Sequence, residues 1–498
     1  MKTLCLNKNI QTSVEAGAVY LLFSTLFIFI VFNASNVFTD DGFYHYRIAK
    51  LMTIHGPKID IDSLPYTILG EHGVDHHWLW HVLISPIAFL FNDDYPGLKV
   101  AIALTGAMVP CAIFIFAKNF RIPYPWAITI LGVFAIADLP GRYLLLCAQN
   151  IALCLLLAYI IFLNRKNYIA CGITSYIFML SYHGAIMLAP ISIIASVLAI
   201  SFFKKIDTKI LYVTAFGLFF GLLVNPWFPK TFEYIYFHIA HKMLTHTNMA
   251  VGQEWDKINF FDSISVAWLA HLSLFISIVA LAIKSQDKSL EEVIAPETGL
   301  FIFLSIAFLV SYLFASRFSE YYGPSSVITG GLVLRDLGGQ LPLFRKRIIM
   351  FAIIVIILFK IPVSVRELAE GGSYDGKKYA EVDAYLKEHA NKGDIVFNLR
   401  WDDFVFLFWD NPQLRYVNGL DPNFLAYGSP DKYEVWSVYA LAKLPNAPSH
   451  AQNIKRTFAA RWVVMDLLYE PLIDQLVKDS HAKLVVVGKR TLLFQLED

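Results

Sequence analysis

The chain has 498 residues, 56% of them hydrophobic and 15% aromatic, with a mean hydropathy of +0.52. Soluble domains run about 45–50% apolar, so this excess, gathered in long apolar runs, describes a polytopic membrane protein. A net charge of +1 gives no case for a nucleic-acid partner, and five cysteines without metal or redox spacing predict free thiols rather than a disulfide framework.

In chain order, spanning segments are predicted at 17–32, 98–117, 124–138, 143–163, 168–182, 185–203, 209–224, 263–284, 299–315, 324–340 and 348–362, about eleven helices in all. No small-residue cleavage site follows the first run, which reads as a retained helix. Short basic loops, among them 118-KNFR-121, 164-NRKN-167, 204-KKIDTK-209 and 345-RKR-347, belong in the cytoplasm by the positive-inside rule. The loops 33–97 and 225–262 then face outward, provided that 76-HHWLWHVLISPIAFLF-91 does not cross fully. After Lys360 the composition changes. Residues 363–498 read as a soluble α/β domain, with β-type runs at 394–400, 413–419, 461–466, 483–489 and 491–497 and an amphipathic helix at 379–390. An odd number of spans places this domain outside, after a transmembrane domain of residues 1–362.

The richest stretch for chemistry is loop 33–97. It opens with 39-TDDGFYHYR-47 and carries Asp40, Asp41, Tyr44, His45 and Arg47, then Asp60, Asp62, Glu71, Asp75, His76, His77 and His81. A carboxylate at headgroup depth can serve as a general base or hold a divalent cation against a phosphate; paired aspartates at a helix exit equally well cap the next helix or face solvent. His76 and His77 suit interfacial anchoring or metal ligation, although neighbouring side chains point in different directions. In 252-GQEWDK-257, Glu254 is a second acidic candidate. Arg317, just beyond a span, has the planar fork of donors that suits phosphate, with pairing to Glu320 as the alternative. His183 is polar in an apolar setting and reads as a site residue or as a satisfied buried histidine.

The core of that first-loop stretch, 41-DGFYHYR-47, resembles the motif of oligosaccharyltransferase catalytic subunits, D-P-Y-F-N-Y-R or D-x-Y-Y-H-L-R, directly after the first transmembrane helix. The runs 55-HGPKIDIDSLPYT-67, 181-SYHGAIMLAP-190, 224-VNPW-227 and 253-QEW-255, with the C-terminal 395-IVFNLRWDDFVFLFW-409 and 416-YVNGLDP-422, resemble a broader bacterial group of GT-C-type membrane proteins. The resemblance implies a GT-C fold and a sugar donor on polyprenyl phosphate or diphosphate. The acceptor would be an unidentified glycan, lipid or protein, and the site would lie at the outer face of a bacterial inner membrane. It makes Asp41 the base or metal ligand, with Asp40 and Glu254 assisting. It gives Tyr44, His45, Arg47, His76, His77, His183 and Arg317 to substrate binding, and sets Phe43 and Tyr44 against the membrane surface. It implies a divalent cation, Mg or Mn, in the oligosaccharyltransferase version of the reaction. Two departures weigh on that version. Where a second-loop acidic pair belongs, this chain has Gln149 and Asn150, and the acceptor motif W-W-D-Y-G is echoed only at Trp401 and Asp402. Peptide glycosylation therefore stands as one alternative. A non-enzymatic scaffold or transporter is the other, disfavoured because the acids lie in loops rather than at mid-bilayer depth.

Overall fold

The computed structural model describes residues 2–34, 36–60, 62–70, 74–203, 208–238, 252–286, 288–338, 343–370 and 374–497. Glu71, most of the basic loop 204–209, residues 239–251 and the side chains of 345–346 lie outside the described residues. The chain divides into two compact units.

The first unit (2–38, 93–224 and 252–370) is helical. Three helices are long and apolar enough to cross a bilayer: α1 (Lys2–Asn33) from Ile10 onward, the run Asp94–Asn119, and Pro296–Phe314. Phe260–Val266 and Trp268–Lys284 meet at 100°, so the predicted span 263–284 is a bent pair. Ala148–Asn164, Tyr168–Ser181 and Lys209–Val224 are apolar but shorter, and the predicted span 124–138 is helical only over Pro125–Val133. Length and composition thus support a multi-helix membrane unit without fixing the count at eleven. Small residues let the helices approach closely. A Cβ on Gly217 would lie 2.4 Å from the Gly172 carbonyl oxygen, so Lys209–Val224 and Tyr168–Ser181 touch backbone to backbone there. Cys111, Cys147, Cys154 and Cys171 are free thiols, as their spacing predicts.

The second unit (39–92, 225–238 and 374–497) joins the loop after α1 to the C-terminal segment. The loop contributes α2 (Asp41–His55) and α3 (Trp78–Leu90). The 13 residues of α3 give about 20 Å at ~1.5 Å per residue, short of a ~30 Å hydrocarbon core, so the stretch 76–91 forms no full span. All five predicted strands are present: β1 (Ile395–Asn398), β2 (Arg415–Tyr416), β3 (Ala460–Asp466), β4 (Ala482–Val487) and β5 (Thr491–Leu496). They form one sheet of order β2-β1-β3-β5-β4, parallel across β2, β1 and β3 and antiparallel across β3, β5 and β4. Central β3 is buried on both faces, as its unbroken apolar run 462-WVVM-465 requires. The predicted amphipathic helix is Ala380–His389, which buries Val382 and Leu386. The first loop is stitched to this domain. Tyr416 donates its N–H to Ser63 O at 2.7 Å, Ile68 to Phe424 O at 2.9 Å, and the Tyr66 hydroxyl to Phe458 O at 2.6 Å. Asp62 pairs with Arg415.

Candidate functional site

The first turn of α2 carries the acidic pair, and local chemistry separates the two carboxylates. Helix starts leave backbone N–H groups without partners. Thr39 Oγ1 accepts from the Gly42 N–H at 2.8 Å and Asp40 Oδ1 from the Asp41 N–H at 2.8 Å. Asp40 also takes a hydrogen bond from Tyr374, whose hydroxyl pKa burial and the Asp40 charge push up. Asp40 is therefore a cap. Asp41 is exposed, at the positive end of the helix dipole. Gly56, at φ +91°, ends the helix.

Behind Asp41 the helix is buried. Phe43 meets Phe406 and Trp409, each with ring centroids 5.1 Å apart, and Tyr44 lies 5.7 Å from Phe408. The Arg47 guanidinium stacks 4.9 Å over Trp409. The expectation that Phe43 and Tyr44 lie on a membrane surface is corrected: both are buried against the helix Phe404–Asp410, whose run 404-FVFLFW-409 offers an apolar face to match. On the opposite side His45 Nδ1 is 2.7 Å from His81 Nε2, and His81 Nδ1 is 2.6 Å from Asp75 Oδ2. Burial above all pushes the His45 pKa well down, so its ring is neutral. His77 caps α3 with its ring 5.2 Å from His45, whereas His76 stacks on Tyr234 at 4.4 Å. The two adjacent rings nonetheless lie side by side, with centroids 3.9 Å apart.

A cleft of about 510 Å³ opens in the same unit, at the carboxyl ends of β1 and β3. The chain leaving β1 turns toward β2 and the chain leaving β3 toward the far edge, and a crevice forms where neighbouring connections part in this way. Tyr374, Lys378, Arg400, Asp402, Asp403 and Asp466 line it. Lys378 Nζ lies 3.1 Å from both Asp403 and Asp466, and Arg400 Nε donates to Asp402 at 2.9 Å. Burial raises the Asp403 pKa, against the pull of Lys378. Tyr374 faces the charges of Asp40, Asp41 and Asp402 together, so the cleft adjoins the first turn of α2. Trp401 packs instead against the core of the sheet domain.

The first unit holds a separate charge cluster. Arg142 pairs with Glu320 at 2.6 Å and with Glu254 at 3.2 Å, and Arg317 pairs with Glu254 at 3.1 Å while stacking 4.4 Å over Trp255. Arg317 is thus paired, but with Glu254 rather than with Glu320. The Ser316 hydroxyl donates to Glu254 O at 3.1 Å and fixes the Gln253–Trp255 turn. His183 sits in a short 3-10 turn with its ring 4.6 Å from Tyr182. Sequence reasoning passed over Arg142, Lys378 and Asp403; Arg142 and Asp403 stand in short segments that end an apolar or β-type run, and Lys378 in a charged stretch before an amphipathic helix.

The oligosaccharyltransferase resemblance raises the question of a divalent cation. Such ions take about six oxygen ligands. Around Asp41, among the described residues of its unit, the adjoining carboxylate Asp40 is engaged as a cap. Asn150, at the second-loop position, uses its amide N–H groups on Tyr143 O and Leu145 O. Asp402, across Tyr374, is a further carboxylate in the same unit as Asp41.

No family model matches the chain, and no curated protein matches it in sequence. Its fold is similar to the crystal structure of the Archaeoglobus fulgidus oligosaccharyltransferase in the apo form, with TM-score 0.65 and 11% identity, over 91% of this chain and 69% of that one. It is also similar to ArnT from Cupriavidus metallidurans bound to undecaprenyl phosphate, with TM-score 0.56 and 13% identity, over 97% of both chains.

Proposed function

Starting from a GT-C fold that extends along nearly the whole chain, we propose that this protein is a membrane glycosyltransferase that moves a sugar from a polyprenyl-phosphate-linked donor to an extracytoplasmic acceptor. Residues 1–362 would be its transmembrane domain and 363–498 its outward α/β domain, in a bacterial inner membrane. The observation that carries the reading is Asp41: an exposed carboxylate, held on the first turn of a buried helix and next to an open polar cleft, while Asp40 caps that helix. The neighbour bound to undecaprenyl phosphate supports the donor class.

In the proposed step the acceptor lies in the cleft lined by Asp402 and Lys378. Asp41 takes the proton from the acceptor's attacking hydroxyl or amine. That atom forms a bond to the anomeric carbon as the bond from that carbon to the phosphate oxygen breaks, with inversion. The electron pair leaves on the polyprenyl phosphate. The full-length protein in detergent should be stabilised against heat by undecaprenyl phosphate and not by undecaprenol, because a ligand selective for the folded state adds RT ln(1 + [L]/Kd). Equal shifts with both lipids, or none with either, would remove the donor assignment.

A further inference from the structure

Asp75, His81 and His45 form a continuous buried chain: their exposures are 1%, 0% and 5%. A carboxylate oxygen accepts, so His81 Nδ1–H donates its hydrogen bond to Asp75 Oδ2. His81 Nε2 then accepts from Nδ1–H of the neutral His45, the tautomers being those the network requires. The other Asp75 oxygen accepts the His77 N–H at 2.9 Å and so ties the chain to the start of α3. At the far end of the same helix pair, Lys50 Nζ donates to Ala88 O at 3.0 Å and Phe91 O at 2.5 Å, the last carbonyls of α3. The two helices are thus bonded at both ends. The His45 end matters for chemistry, since His45 is one helical turn from Asp41 on the same face.

From this geometry we infer that His45, His81 and Asp75 are positioning residues for Asp41: they fix the register of the first turn of α2 against α3 and so hold the exposed carboxylate at one place beside the cleft. The inference rests on the proposed role of Asp41, but its structural half does not depend on turnover. Packing alone would hold two apolar helix faces together. A directional chain of three polar groups, closed at 0–5% exposure, permits one register only, because any shift leaves a buried imidazole without its partner.

The test uses the full-length protein in detergent. Hydrogen–deuterium exchange is read on a peptide covering 39–47 and, as a control, on peptides covering β1 and β3. His45→Leu fills the space without a donor, whereas His45→Asn returns an amide N–H close to the position of Nδ1. In His45→Leu, exchange over 41–47 should rise by at least about tenfold, as expected for local opening. The β1 and β3 peptides should stay unchanged, and His45→Asn should recover most of the protection. If transfer from an undecaprenyl-phosphate-linked sugar is established, turnover at saturating donor should fall about 10–100-fold in His45→Leu, with undecaprenyl phosphate affinity unchanged. Unchanged exchange over 41–47 would overturn the inference. So would an equal rise over 41–47, β1 and β3, or equal behaviour of the leucine and asparagine variants, since each describes general loosening. Failure of the wild type to transfer sugar would count against the proposed function and leave the exchange result to decide the positioning chain.

Discussion

Arg142→Met should destabilise the first unit more than any surface substitution would. The Arg142 and Glu320 side chains are 14% and 4% exposed and lie 2.6 Å apart. Removing the cation leaves the Glu320 carboxylate buried without it, and breaking one side of a buried pair typically costs about 3–5 kcal/mol. Glu320→Leu should cost less, about 1.5–3 kcal/mol, because Arg142 keeps Glu254 at 3.2 Å. The double variant removes both buried charges and leaves Glu254 paired with Arg317 at 3.1 Å. An apolar replacement of a whole buried pair is often neutral, so its stability should return to within about 1 kcal/mol of wild type. The readout is heat-induced labelling by a thiol-reactive dye of Cys147 and Cys171, which are buried in this unit. The reasoning is refuted if Arg142→Met unfolds no earlier than wild type, or if the double variant is the least stable of the three.

Asp41→Asn should lower transfer by about 10²–10⁴-fold, the usual contribution of a general base, with unchanged expression, whereas Asp40→Asn should be nearly silent because asparagine caps as well as aspartate; equal activity in both variants returns the loop to a structural role. Asp383 is buried beside Asp410, and burial and that charge raise its pKa well above the usual carboxylate range. Its protonated form is favoured by folding, so the contribution is largest below the unfolded value of about 3.9 and is lost as pH rises through the folded pKa. Asp383→Asn should therefore raise the melting temperature at pH 7–8 and flatten the wild type's gain on acidification, as followed by circular dichroism; a lower melting temperature at pH 8 contradicts the assignment. Chelation with EDTA should leave transfer within about twofold, because the amides Gln149 and Asn150 stand where the oligosaccharyltransferase pattern has acids, and full loss restored by manganese or magnesium would show a metal site after all. Cysteines placed at Asn167 and Asn446 should label from opposite sides of the membrane; labelling from one side would break the orientation.

The five strands and the helix at 380–389 were legible because their signals are local: β-branched runs, period-two or period-3.6 patterning, and turn residues between them. A short motif singles out Asp41 as the candidate base. What lay beyond the sequence was mostly long-range. An aromatic pair such as Phe43 and Tyr44 reads the same whether it meets lipid or the run 404-FVFLFW-409, and only the fold decides between them. Asp40 and Asp41 are equivalent in composition, and the backbone N–H that Asp40 accepts separates them. Arg142 found Glu320 across 178 residues, a pairing no periodicity announces. Gly172 and Gly217 each looked like an ordinary small residue in an apolar run until the helices crossed.

The bonds that stitch the first loop to the sheet domain also impose a schedule on synthesis. Asp62 and Tyr66 leave the ribosome long before their partners Arg415 and Phe458, which lie 353 and 392 residues downstream. Until the C-terminal strands arrive, the aromatic face of α2 and the unsatisfied backbone of 63–68 must wait in an unfinished state, where exposed apolar surface invites aggregation or chaperone capture. Final closure of the second unit is thus a late event of high contact order. A nascent chain cut short before β5 loses more than its last strand, because the first loop is left without the domain that completes it. For the same reason residues 374–497 made alone would expose the faces that α2 and Tyr66 cover. An excised C-terminal domain needs 39–92 supplied with it, by linkage or as a second chain.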